Sequence, residues 1–149
     1  MIKKLPIPTE FEEQCKTIKW ARMATLFDSR LNLLHGDSSG VRVPIGCAVK
    51  MKRAGAIKGW PDLFLAAPII SWNGNEQVEY HGLFLELKRR KGGKVDPEQA
   101  EIHRLLREQG YRVEVCHGSD QAIKVIMDYL GSQNIGIGPL QGTSEKEII

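Results

Sequence analysis

The stretch GLFLELKRR, residues 82–90, runs four bulky apolar side chains together with an acid and then ends in three cations. A β-strand points successive side chains to opposite faces, so Leu83, Leu85 and Leu87 share one face and Phe84, Glu86 and Lys88 the other. A strand apolar on both sides belongs inside a sheet. Glu86 and Lys88 therefore emerge side by side from a buried strand, roughly 7 Å apart at Cα.

Working outward, residues 59–67 read GWPDLFLAA. Gly59-Trp60-Pro61 interrupts a preceding helical pattern, and Asp62 stands at the mouth of a second apolar strand reaching Ala67. The stretch Ser71 to Glu79 contains Asn-Gly-Asn, a turn signal, and leads into the strand Tyr80 to Lys88. The Asp62 strand and the Lys88 strand can then lie antiparallel as neighbours, which lets Asp62 reach Glu86 and Lys88. Downstream, Arg90 to Lys94 forms a loop. Asp96-Pro97-Glu98 then opens a helix, with Asp96 as N-cap and Pro97 at the first helical position, and Gly110 ends it. Tyr111 to Cys116 is a further strand, parallel to the previous one because a helix connects them. Ser119 or Asp120 caps a last helix to about Leu130.

Upstream, Thr9 with Glu12 makes a capping box for a helix over about residues 10–27, whose apolar side is expected to bury Phe11, Cys15, Ile18 and Met23. Leu31 to Leu34 reads as a short strand, HGDSSG (35–40) as a loop, and Pro44 to Ala54 as a helix with a basic outer side. The expectation is an α/β fold: a single domain over residues 1–130, a small mixed β-sheet flanked by helices, and a flexible tail over 131–149.

Composition bounds the function. The chain has 149 residues, is 42% hydrophobic and 26% charged, and carries a formal net charge of +3. It fits one packed domain rather than a disordered segment. Cys15, Cys47 and Cys116 are scattered and odd in number, which favours neither a disulfide framework nor a thiolate zinc site and suits a reducing cytoplasm. No apolar run approaches a membrane span, and no secretory h-region follows the first lysines. His35, His81, His103 and His117 show no metal-ligand spacing, and no Walker-type phosphate loop exists. The cations cluster as Lys50, Lys52, Arg53 and Lys58, and again as Lys88 to Arg90, Lys91 and Lys94, where they could track a phosphate backbone.

Two carboxylates converging at strand ends suit a hard divalent cation such as Mg²⁺, which takes one or two protein carboxylates and completes its shell with water and phosphate. A cation there can activate water for in-line attack on a phosphodiester, and a neighbouring lysine can orient the nucleophile or neutralise non-bridging oxygens. Against this stand plainer readings. An aspartate after proline is ordinarily a turn former, and Glu86 with Lys88 could be a solvated ion pair. The downstream Glu-x-Lys weighs against the first and Phe84 on the same face against the second. Trp20, Trp60 and Trp72 are ordinarily packing residues.

Gly59 to Leu63 (G-W-P-D-L), then Glu86 to Lys88 (E-L-K), then Gln99 on the following helix closely resemble the PD-(D/E)XK nuclease superfamily, specifically its VRR-NUC family, over about Thr9 to Leu130. The resemblance implies a restriction-endonuclease-like core, αβββαβ, and an endodeoxyribonuclease using Mg²⁺ or Mn²⁺. It implies that Asp62 and Glu86 bind metal, that the Leu87 carbonyl adds a ligand, that Lys88 assists attack, and that Gln99 orients a catalytic group or phosphate. A glutamate on the first helix is also implied. Glu10, which pairs at i,i+4 spacing with Gln14, is preferred over Glu13 as a catalytic and metal-binding acid. DNA contacts are expected from Arg89, Arg90, Lys91, Lys94, Lys52, Arg53 and Lys58. The HGDSSG loop departs from the Asn-Gly loop of many relatives, which puts contacts by His35 and Ser38 in question. Small standalone relatives resemble Holliday-junction resolvases of phage or bacterial type, which implies branched DNA as substrate and a homodimer. Two other readings remain open: a non-catalytic nucleic-acid-binding module, and a restriction-type enzyme reading duplex sequence.

Overall fold

The computed structural model describes residues 5–37 and 42–131. In chain order these form helix α1 (Glu10–Ala24), a 3-10 helix (Ser29–Leu33), strand β1 (Leu34–Gly36), helix α2 (Ile45–Arg53), strands β2 (Leu63–Leu65), β3 (Ile69–Asn73), β4 (Glu76–Tyr80) and β5 (Leu83–Lys88), helix α3 (Pro97–Glu108), strand β6 (Arg112–His117) and helix α4 (Ser119–Leu130). The main sheet has the order β1-β2-β5-β6, and β3 and β4 pair as a separate hairpin. β1/β2 and β2/β5 are antiparallel, and β5/β6 is parallel, as a helical connection requires.

The alternation expected of β5 sorts the core into two layers. Leu83, Leu85 and Leu87 pack with Trp20, Ala21 and Ala24 of α1 and with Ala122, Ile123, Ile126 and Tyr129 of α4. Phe84 faces the other way and packs with Leu106 and Ile102 of α3, with Trp60, Phe64 and Tyr111 around it. The domain is thus a mixed sheet between α1 and α4 on one side and α3 on the other, the α/β architecture the sequence predicted. β5 is buried along its whole length, so its two polar residues sit in the least wet part of the sheet.

Four local expectations need correction. α1 does begin at a Thr9–Glu12 capping box, but its buried residues are Glu13, Thr17, Trp20, Ala21 and Ala24. Phe11 is 65% and Met23 48% exposed, and Cys15 is exposed too; of the expected apolar side only Ile18 touches the core. The buried face is turned because small and aromatic residues fit against the sheet and because Glu13 has a partner far along the chain. Residues 31–34 are not a strand: Asp28 caps a 3-10 helix through the Arg30 N–H, and only Leu34 enters β1. Residues 69–80 form a complete hairpin with Gly74 in the left-handed region at its turn, so the strand expected over Tyr80 to Lys88 is two strands broken at His81-Gly82. Finally, α4 starts at Gly118 with no side-chain cap of its own, because the Glu13 carboxylate accepts the Ser119 N–H at 2.9 Å. Of the expected tail, residues 132–149, like Ser38 of the HGDSSG loop, lie outside the described residues.

Candidate active site

β2 and β5 pair with Leu63 opposite Leu85 and Leu65 opposite Leu83. One step further along this antiparallel register, Asp62 stands opposite Glu86, and directly opposed side chains share a face. That face is the one α3 covers: Phe64, two residues from Asp62, stacks on Phe84, two residues from Glu86, with ring centroids 4.3 Å apart. The ladder is closed at this point by a side chain, since Asp62 Oδ2 accepts the Leu87 N–H at 2.6 Å. The Asp62 carbonyl also accepts the Asp37 N–H at 2.7 Å, which ties the chain leaving β1 to the same corner.

Helix α3 supplies the opposite wall. Asp96 accepts the Gln99 N–H and Gln99 Oε1 accepts the Asp96 N–H, a capping box that holds the glutamine at a defined point of the first turn. From there Gln99 Oε1 also accepts from Lys88 Nζ at 2.9 Å, while Gln99 Nε2 donates to Glu86 Oε1 at 2.5 Å. Lys88 Nζ lies 3.0 Å from the same Glu86 oxygen. Glu86 and Lys88 are only 2% and 6% exposed, so this is a buried pair of charges with a fixed amide between them. The approach of helix and loop requires glycine: Gly59 has φ +82°, and a Cβ there would sit 3.0 Å from the Gln99 nitrogen. Gly93 lies over Lys88 in the same manner, where a Cβ would come within 2.8 Å of the lysine Cβ.

The balance of charge at this corner favours an added cation. Burial pushes the Asp62 carboxyl up to about 7; the Glu86 charge adds to that, with a smaller push from Glu10, while the Leu87 N–H and Lys88 pull the other way. Glu86 Oε2 is buried and has no hydrogen-bond partner among the described residues. Among the described residues no three His, Cys, Asp or Glu side chains cluster so as to cage an ion. Two carboxylates, one with a bare buried oxygen, are nevertheless the donor set that a Mg²⁺-like ion uses when water and phosphate fill its remaining positions. The residues present fit a hard divalent cation.

The remaining sequence candidates fall as follows. Glu10 lies exposed at the start of α1, and although its charge reaches Asp62, it does not join Asp62 and Glu86 in one cluster. Its competitor Glu13 is fully buried and committed elsewhere, to Arg90 Nε at 2.7 Å and to the Ser119 N–H. Burial works against the Glu13 charge, but the Arg90 and Ser119 hydrogen bonds hold its carboxyl down to about 2. Arg90, expected on DNA, bridges Glu13 and Asp120. Arg89, Lys91 and Lys94 are exposed with no acidic partner among the described residues, as are Lys52 and Arg53 on α2, whereas Lys58 pairs with Glu98 at 2.7 Å on an exposed surface. His35 packs edge-on against Phe64. His103, unassigned from sequence, is 2% exposed on α3 and presents Nε2 to Glu86. Its signal was available: it follows Gln99 at i,i+4 spacing, which stacks two side chains on one helix face.

A strand-mouth aspartate is thus set against a glutamate, with a lysine two residues on and a helix glutamine between, at one corner of an α/β core. The chain belongs to the VRR-NUC domain family, whose model matches residues 10–120. A solved structure described as a VRR_NUC domain protein is similar over 85% of this chain and 92% of its own, with 28% identity and a TM-score of 0.63. No curated protein matches significantly. No helix among the described residues is long and apolar enough to cross a membrane.

Proposed function

We propose that this chain is an endodeoxyribonuclease that hydrolyses phosphodiester bonds with Mg²⁺ or Mn²⁺, acting on branched DNA as a homodimer. The observation that carries the reading is the corner itself: Asp62 held to the Leu87 N–H, opposite Glu86, with Lys88 and Gln99 hydrogen-bonded around the glutamate. Asp62 and Glu86 would hold the cation, with the Leu87 carbonyl as a backbone ligand, while Glu10, apart from the two at the start of α1, would act on it through its charge. When bound, the cation supplies charge against the developing phosphorane and lowers the pKa of an attacking water.

The chain's own residues do the rest. Gln99 spans Glu86 and Lys88 and prevents either from turning away, so the ammonium is already placed before substrate arrives. Lys88 Nζ, buried and oriented, faces the scissile phosphate as a fixed positive charge that neutralises a non-bridging oxygen and orients the nucleophile. Arg89, Lys91 and Lys94 follow directly on β5 and are free to lie along the flanking phosphates, joined by Lys52, Arg53 and Lys58 from α2 and its loop. Support for self-association comes from apolar side chains left exposed on and beyond α1, Phe11, Met23, Leu26 and Phe27, which a second copy could cover.

The test is a cleavage panel of four-way junction, flap, single-stranded and linear duplex DNA with Mg²⁺, Mn²⁺ or chelator. The proposal expects metal-dependent cleavage, strongest on the branched substrates. Cutting of duplex at one defined sequence would instead mark a restriction-type enzyme, and tight binding without cleavage under every condition would mark a non-catalytic binding module.

A further inference from the structure

Two buried side-chain polar atoms lack a hydrogen-bond partner among the described residues, Glu86 Oε2 and His103 Nε2, and they lie 3.7 Å from each other. An unpaired buried polar atom is costly, so two orphans facing one another call for an explanation in common. The geometry of α3 supplies one. Gln99 and His103 are one helical turn apart on the same face, and they address the two oxygens of a single carboxylate, Gln99 reaching Oε1 and His103 standing before Oε2.

We propose that His103 is a positioning residue for Glu86: it donates Nε2–H to Oε2 and so sets the rotation of the carboxylate that receives the divalent cation. This rests on the metal-dependent reading above. A carboxylate has about four lone-pair sites. Lys88 and Gln99 occupy two on Oε1, which leaves Oε2 as the oxygen with acceptor capacity to spare. His103 takes one site on Oε2 and leaves the last for the ion. Without the imidazole, Glu86 is held from one oxygen only and can swing about that anchor. The gap of 3.7 Å is wider than a hydrogen bond and closes with a movement well under the size of an atom.

The experiment measures Mn²⁺ binding to the full chain in the absence of DNA, by calorimetry or by the paramagnetic signal of free Mn²⁺. His103→Leu, which keeps the bulk and removes the donor, is expected to weaken Mn²⁺ binding by about 10–100-fold, the usual effect of losing a group that orients a metal ligand. His103→Gln, whose amide nitrogen falls near the position of Nε2, is expected to restore most of the affinity. In the unmodified protein, nitrogen NMR of the imidazole is expected to show a proton on Nε2. Equal affinity in wild type and His103→Leu overturns the proposal, as does an imidazole protonated on Nδ1 alone. Should His103→Leu fail to fold, the glutamine variant and the imidazole spectrum decide. Mn²⁺ binding that is lost in Asp62→Ala but unaffected in His103→Leu removes the role of His103 alone; no Mn²⁺ binding by wild type removes the nuclease reading together with it.

Discussion

Arg90 stands two residues beyond Lys88 and pins the end of β5 to α1 and α4 through Glu13 and Asp120, so its removal tests whether the site is braced from behind. Glu13 is fully buried, and its carboxyl drops from the usual 4.5 to about 2 with Arg90 as the strongest favourable contact. Two and a half pH units correspond to roughly 3 kcal/mol. Arg90 is itself 40% exposed, so water screens part of this, and a loss of about 2–3 kcal/mol is expected for Arg90→Ala at neutral pH. The sign with pH is distinctive. A carboxyl with a depressed folded-state pKa stabilises the wild type above about 4.5 and loses that contribution as pH falls towards 2. Without the guanidinium, only the Ser119 hydrogen bonds oppose the burial penalty, so the stability that the wild type gains as pH rises above 4.5 should shrink or vanish in the variant. Urea denaturation at pH 3, 5 and 7 reads both effects, and at pH 7 the midpoint should fall on the order of 1 M with little change in slope. Adding Glu13→Gln to Arg90→Ala should recover part of the loss, because no buried charge is then stranded. A variant as stable as wild type at pH 7 but weaker on DNA would refute the bracing role and return Arg90 to the phosphate backbone.

Three further outcomes are expected. In chelator, the contribution of Asp62 to stability should fall between about pH 4 and 7, because the folded protein keeps a proton that the unfolded chain releases; Asp62→Asn should flatten this slope, and an unaltered slope in urea titrations would contradict the assignment. Gly59→Ala, at φ +82° and pressed on the Gln99 backbone, should cost about 1–3 kcal/mol and lower cleavage by displacing Gln99, as melting curves and rates together would show. Lys91→Ala and Lys94→Ala should each weaken DNA binding and reduce the slope of log affinity against log salt by about 0.9 for every phosphate that the lysine neutralises, whereas a salt slope equal to wild type would place these lysines off the DNA.

What could be read ahead of the structure was whatever local chemistry determines. The alternation of residues 83–88, the Asp96-Pro97 start of α3 and the helical link to β6 predicted the buried strand, its polar face and the parallel pairing, because each depends on near neighbours. The inward face of α1 could not be read in this way. Phe11, Cys15 and Met23 make the more apolar stripe, yet Glu13 goes inside because its partners, Arg90 and the Ser119 N–H, are distant in sequence and meet it only in the fold. The cap of α4 was misread for the same reason, since its acceptor comes from α1. The hairpin of residues 69–80 gives a weak signal because much of it is exposed and carries little of the core. At the site, Asp62, Glu86, Lys88 and Gln99 were recognisable from order and spacing, and they do come together. For His103 the i,i+4 spacing to Gln99 gave the helix face but not the role, because a single histidine acquires meaning only when the carboxylate it faces is known.

Asp62 and Glu86 are expected to share one divalent cation, and a Mn²⁺ titration of wild type, Asp62→Ala and Glu86→Gln, paired with junction cleavage by the same samples, decides whether they do. Wild type is expected to show a saturable Mn²⁺ site that both substitutions remove, together with cleavage, while the proteins remain folded and still bind DNA. Undiminished Mn²⁺ binding or cleavage in either variant would contradict it.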